Sequence, residues 1–221
     1  MLMKKGAEAD LFLEPFSGVL HPAGEGMVVV KRRVVKRYRI PEIDRQLRES
    51  RTVLEARLLS DAKKAGVPTP PVYLVDRKNT TIVMRFIEGK HVKKVLGRLR
   101  PERRRRICVE IGRMVGRLHG AGIVHGDLTT SNMIITGEGR IYLVDFGLGS
   151  YDRSTEGRGV DLHLLRRALQ SVHFRIAERA YRDVLRGYKL EMGKEADEVI
   201  RRAEEIEKRG RYVEREERPW R

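Results

Sequence analysis

Residues 118–147 read LHGAGIVHGDLTTSNMIITGEGRIYLVDFG, and this stretch decides how the rest of the chain is to be read. Within it lies HGDLTTSN, His125 to Asn132, in which a carboxylate, Asp127, precedes an amide, Asn132, by five residues. The apolar run Ile141–Val144 then leads into Asp145-Phe146-Gly147, a second carboxylate in the sequence DFG. Two acids and an amide, set in loops between apolar segments, are groups that phosphoryl transfer requires. An Asp can orient or deprotonate a nucleophile, and hard oxygen ligands can hold Mg²⁺ on the phosphates of ATP.

The chain around this stretch has 221 residues, 40% hydrophobic and 35% charged, enough for one large domain or two small lobes with a real core. Its formal net charge of +16 invites an anionic partner: a nucleotide, RNA or an acidic protein. The same balance also fits the solvated, charge-rich surface of heat-adapted proteins. One cysteine, Cys108, cannot close an internal disulfide, and its place in an amphipathic helix reads as a buried, inert thiol. No apolar run reaches membrane-spanning length and no signal peptide opens the chain, so a soluble, cytoplasmic protein is expected.

Upstream, Gly6 sits between short apolar segments, flanked by Ala7 and Ala9, as at the small-residue tip of a strand–turn–strand. A turn-rich link, residues 21–26, precedes Val28–Val30, a β-branched run that ends in Lys31. Lys36, after Val34 and Val35, is the alternative lysine; the longer preceding run favours Lys31. Past Pro41 the spacing turns helical, with Leu47, Leu54 and Leu58 on one face and Glu55 among them, until Gly66 and Pro68 stop it. Val72–Val75 and Thr80–Phe86 read as a hairpin, and the second strand runs into Met84-Arg85-Phe86-Ile87. A basic stretch, Arg98 to Arg106, precedes a helix with Ile107, Ile111, Met114 and Leu118 on one stripe. Arg103 to Arg106 reads as a solvated helix face or an RNA contact.

HGDxxxxN followed by DFG resembles the catalytic and metal-binding loops of protein kinases. Together with GAEA at residues 6–9, RTVLEA at 51–56 and RGRYVER at 209–215, the chain more narrowly resembles the small atypical kinase subunit of the KEOPS complex. That assembly helps to make threonylcarbamoyladenosine in tRNA. The resemblance implies an α+β, bilobal protein-kinase-like fold. A β-rich N-lobe with one helix would cover residues 1–88, a reduced helical C-lobe 89–209, and a basic tail 210–221.

ATP and Mg²⁺ are the implied cofactors. Gly6, Ala7, Glu8 and Ala9 would form the phosphate-covering loop, although ordinary kinases show GxGxxG there. Lys31 would pair with the phosphates and with Glu55. Met84 would stand at the gatekeeper position beside Phe86, with the Arg85 carbonyl and Ile87 N–H at the adenine edge. Asp127 would be the catalytic acid–base, and Asn132 and Asp145 the metal ligands. His125 reads as a buried structural residue, and Phe146 as packing under the Glu55 helix. Asp161 would brace the catalytic loop or cap the helix that follows it.

The departures from ordinary kinases carry their own implications. Gly126 replaces the arginine of HRD, and Thr129 stands where Ser/Thr kinases place a lysine. Only Leu148 to Val160 separate DFG from the next helix, and no APE appears, so a full activation and peptide-docking segment is missing. ATP hydrolysis or autophosphorylation fits such a site better than phosphorylation of peptides. The implied partners are the catalytic threonylcarbamoyl-transferring subunit on the C-lobe and tail, and a small accessory subunit on the N-lobe. tRNA would meet the basic surface and tail. Rival readings are a small-molecule phosphotransferase of the aminoglycoside or choline kinase type, a RIO-type kinase, and a non-catalytic RNA-binding scaffold.

Overall fold

A computed structural model describes residues 1–6, 8–16 and 26–216. Ala7, most of the turn-rich link and residues 217–221 lie outside the described residues. Three strands open the chain: β1 (Leu2–Lys4), β2 (Ala9–Pro15) and β3 (Met27–Arg33). The long helix α1 (Pro41–Lys64) follows, then the hairpin β4 (Val72–Asp76) and β5 (Thr81–Arg85). These strands form one antiparallel sheet in the order β1-β2-β3-β5-β4. Its central strand β3 carries the β-branched run, with Val28 and Val30 buried.

The helix starts where the sequence marks it. Pro41 occupies the first turn, where a missing N–H costs nothing, Glu42 and Asp44 face the positive end of the dipole, and Lys63 and Lys64 the negative end. Leu58, Leu59 and Ala62 bury against the sheet.

Beyond β5 the chain is mostly helical. Short β6 (Lys90–His91) and α2 (Val92–Val95) lead to α3 (Pro101–Gly120), then β7 (Ile123–Val124), and the hairpin β8 (Met133–Ile135) and β9 (Ile141–Leu143). β10 (Ser150–Tyr151), α4 (Thr155–Val172), α5 (Ala177–Met192) and α6 (Glu195–Glu216) complete it. The apolar stripe of α3 is the centre of this half, and α5 packs along it at close range. A Cβ on Gly112 would lie 1.9 Å from the Val184 carbonyl, and one on Gly187 the same distance from that of Val109. The buried apolar cluster is continuous between the halves, from Leu58 and Ile82 to Leu143 and Phe146.

Three local expectations are corrected. Arg103 to Arg106 lie inside α3, which begins at Pro101, because Pro at the first turn starts the helix ahead of its apolar stripe. α4 begins at Thr155, with the Ser154 hydroxyl accepting the Gly157 N–H as its cap. Asp161 therefore sits inside the helix rather than at its start, and the connector from DFG is shorter than expected, Leu148 to Ser154. The last helix continues through Glu216, so the first residues of the segment read as a tail are an extension of α6.

Candidate active site

Lys31 projects from β3 and Glu55 from α1, and both are almost fully buried. The Lys31 ammonium donates to Glu55 Oε1 at 2.5 Å and to Asp145 Oδ1 at 2.6 Å. Burial alone would lower the lysine's pKa, but the two carboxylates outweigh it and hold the pKa above the usual value. Lys36, the alternative lysine, lies in the loop after β3, where its backbone N–H points at Asp44. It is Lys31 that reaches Glu55 and Asp145.

Arg33 is a residue the sequence reading missed. Its side chain is 3% exposed, and its guanidinium donates to Glu55 Oε2 at 2.6 Å, opposite the lysine. Lys31, Arg33 and Glu55 are buried together, and the half-exposed Asp145 carboxylate balances the second cation from the solvent side, which lowers the cost of keeping the buried charges from water. Arg51 is the second omission; it donates to Glu8 Oε2 at 3.0 Å, and Arg33 stands 3.9 Å from the same carboxylate. The Glu8 carbonyl also accepts the Val34 N–H. The loop before β2 is therefore tied to α1 and to the end of β3. Both arginines were legible in principle. Arg33 follows Lys31 by two residues on a strand, and Arg51 precedes Glu55 by four on a helix, so each shares a face with its neighbour.

On the other side, Asp127 and Asn132 form a closed pair. The Asn132 amide donates to the Asp127 side chain at 2.8 Å and to its backbone carbonyl at 2.9 Å. With the NH₂ turned to Asp127, the amide oxygen is the group left to accept or ligate. Asp145 follows β9 in the left-handed region, with φ of 66°. Few residues other than glycine adopt it, and Asp is one of those few. Partial burial pushes its carboxyl up, but the Lys31 ammonium and the Gly147 N–H hold it below the usual carboxylate range.

His125 and Asp161 frame these loops. The fully buried His125 bridges from Val144, whose carbonyl lies 3.2 Å from Nε2, to the Asp127 N–H at 3.3 Å from Nδ1. That is the pattern of a neutral ring protonated on Nε2. Burial holds its pKa below the ordinary imidazole value. Asp161 accepts the His125 N–H at 2.6 Å and the Gly126 N–H at 2.9 Å, so it braces the loop as expected. Gly126 has φ of 75°, and a Cβ there would lie 2.1 Å from the Leu148 carbonyl. No arginine fits at that position. Phe146 is buried, its ring 4.6 Å from that of His125.

The remaining expected positions lie at the end of β5 and just beyond it, and around the start of β2. Met84 and Ile87 are buried, and the backbone N–H groups of Arg85 and Phe86 are taken by Pro71 and Met27. The N–H of Ile87 meets no backbone acceptor among the described residues. Gly6 comes so close to Ala9 that a Cβ would lie 2.5 Å from its carbonyl, and Ala9 is buried. Ala7 falls outside the described residues. Cys108 is buried, and burial pushes its thiol up to about 12, which leaves it inert.

A five-stranded sheet with one helix, a helical second half and a lysine–glutamate pair facing DFG define an atypical protein kinase with a reduced C-lobe. Comparison with known proteins narrows this. A family profile described as the RIO domain matches residues 29–153. The chain is 51% identical over 217 residues to the KEOPS complex subunit Bud32 of Pyrococcus abyssi, covering 97% of each chain. It is 48% identical over 188 residues to a probable serine/threonine-protein kinase, a BUD32 homolog of Archaeoglobus fulgidus, covering 85% of this chain and 90% of that one. A probable bifunctional tRNA threonylcarbamoyladenosine biosynthesis protein of Methanobrevibacter smithii is 42% identical over 96% of this chain, which spans only 37% of that protein's length. Among solved structures, the Rio2 kinase–ADP/Mg²⁺–phosphoaspartate complex of Chaetomium thermophilum shares the fold. The TM-score is 0.63 at 16% identity, covering 94% of this chain and 70% of that one. The chain belongs to the Bud32 family of atypical kinases, within the RIO-domain group. The RIO-type likeness, first weighed as a rival, describes the broader group.

Proposed function

We propose that the chain turns over MgATP in the cleft between its two halves, as the atypical kinase or ATPase of a KEOPS-type assembly supporting threonylcarbamoyladenosine formation in tRNA. The observation that carries this reading is the Lys31 ammonium, shared between Glu55 of α1 and Asp145 of the DFG loop. It joins the sheet to the metal loop with one charge. In this reading Lys31 holds the ATP phosphates, and Glu55 keeps it aimed. The Asp145 carboxylate and the Asn132 amide oxygen hold Mg²⁺, which would neutralise the charge that develops on the phosphates.

Asp127, half-buried beside Asn132, orients the attacking hydroxyl or water. Arg85 and Ile87 present backbone groups to adenine where the lobes meet, near residue 88, and the Gly6–Ala9 loop covers the phosphates. The short connector after DFG leaves no platform for a peptide, which favours water or a hydroxyl of the chain itself as acceptor. ATP turnover would then regulate or reset a threonylcarbamoyl-transferring subunit bound at the C-lobe and tail, with an accessory subunit on the N-lobe. The names of the relatives support membership of such an assembly.

The test is phosphate release by wild type, Asp127→Ala and Asp145→Ala, with and without the transferase subunit and tRNA. Both variants should fall at least about a hundredfold, the loss typical of a removed acid–base or metal group, while melting within a few degrees of wild type. Wild-type rates in both would remove the assigned chemistry.

A further inference from the structure

One face of the helical half forms a groove of about 900 Å³ between α3, the β8–β9 hairpin and α5. Arg103, Arg105, Arg106 and Arg113 of α3 and Arg186 of α5 line it, with no lysine among the lining residues. Several arginines elsewhere in this half are ion-paired, Arg117 with Glu191, Arg158 with Glu195, Arg166 with Glu207 and Arg202 with Glu156, while others such as Arg140 and Arg179 stand apart from one another on the surface; the groove is set off by gathering five arginines in one place. In the groove only Arg105 has a carboxylate within 4 Å among the described residues, Asp183 at 3.9 Å. Glu102 and Glu110 also line the groove, and Glu110 is engaged by Arg117. The balance on this surface is cationic: five arginines converge on one groove, and four of them have no carboxylate within 4 Å among the described residues.

We infer that this groove is a docking site for the phosphate backbone of RNA. Guanidinium groups match phosphate bidentately and are weakly hydrated, so a cluster of arginines without carboxylate partners fits that ligand best. Arg103 to Arg113 spans about 15 Å of helix axis, a reach that takes in several successive phosphates. No aromatic side chain lines the groove, so it offers no stacking platform and reads backbone rather than base. The glycine-mediated contact of α3 with α5 makes its walls rigid, which limits the ordering cost of binding. Its floor includes Ile135 and Ile141, on a hairpin that begins directly after Asn132 and ends just before Asp145. RNA held here would lie against the element that carries the candidate metal loops.

The choice of tRNA as that RNA rests on the function proposed above; the groove's preference for phosphate does not. Fluorescence anisotropy with labelled tRNA, in nucleotide-free buffer over a salt series, tests it. The variant Arg103→Gln/Arg106→Gln/Arg186→Gln should bind at least about tenfold more weakly, with a log K versus log salt slope reduced by about two. A charge-matched control, Arg57→Gln/Lys63→Gln/Arg201→Gln, should change by less than about threefold, as expected for charges outside the footprint. Equal weakening in both triples, or none in the groove triple, overturns the proposal. Capture of a poly-glutamate peptide that is lost in the groove triple while tRNA binding persists overturns it in favour of an acidic protein. Should the groove triple lose its cooperative melt, the single Arg106→Glu decides in the same assay. RNA-free ATP hydrolysis should stay at wild-type level in the groove triple, so loss of RNA binding and failure of the ATP reading are read separately.

Discussion

At the scale of single residues, the buried cluster around Glu55 sets the terms. Its carboxylate is 1% exposed and serves Lys31 and Arg33 at once, so its removal leaves Arg33 without its close buried partner and Lys31 with Asp145 alone. Breaking such a pair costs about 3–5 kcal/mol, far more than the pair contributes when intact. Glu55→Ala should therefore lower the melting temperature by about 10 °C and abolish ATP turnover. Arg33→Gln should retain most of the stability and show a fall in kcat, because Lys31 keeps its partner while one side of Glu55 is released. Unchanged steady-state kinetics in Arg33→Gln would assign the arginine to charge balance alone. Gly126 is held by sterics: its φ is positive and the Leu148 carbonyl occupies the space of a side chain. Gly126→Ala should cost about 2–4 kcal/mol by equilibrium unfolding, since both strain and overlap act against it.

Among the elements, α3 and α5 give the sharpest contest between local and tertiary terms. Alanine is favoured over glycine in a helix by about 1 kcal/mol, so helix propensity alone predicts that Gly112→Ala and Gly187→Ala stabilise. The positions opposite are backbone carbonyls at 1.9 Å, which cannot rotate away, and overpacking of this kind costs about 1–3 kcal/mol or more. Each variant should destabilise, as denaturant midpoints will show; a raised midpoint would mean that the helices slide apart without penalty. The same logic explains why Asp161 was read as a possible cap. An acid before an apolar run looks like a helix start, yet here Ser154 caps α4 and Asp161 reaches across to the backbone of the catalytic loop. A hydrogen bond spanning 36 residues leaves no local signature.

Over the whole molecule, histidine burial couples stability to pH. His125, His163 and His173 all have pKa values below the ordinary imidazole value, in each case first through burial. Neutral in the folded chain, they bind protons more readily once it unfolds. The unfolded state is therefore favoured as pH falls below about 6.5, with up to about 1.4 kcal/mol lost per pH unit from the buried His125. Melting temperature should be flat from about pH 7 to 8 and fall steadily from 6.5 to 5. Asp145, held below the usual carboxylate range, adds its loss only at still lower pH, below about 4. His125→Gln should flatten the first of these slopes; an unchanged profile would place the titration elsewhere.

Much of this was legible in the chain itself, because short-range physics writes a local pattern. The β-branched run ending in Lys31, the Pro41 start of α1, the apolar stripe of α3 and the spacing from Asp127 to Asn132 to Asp145 are all properties of neighbours in sequence. They determined the two-part architecture and picked out Lys31, Glu55 and Asp145, which the structure brings into contact. What the tertiary structure alone decided are contacts between groups far apart in the chain: Arg33 on the second oxygen of Glu55, Arg51 on Glu8, the carbonyl that excludes a side chain at Gly126, and the alignment of α3 with α5 that builds the arginine groove. Charge pairing and steric exclusion depend on distance in space, and one residue's periodicity carries no information about which distant group will fill the space beside it.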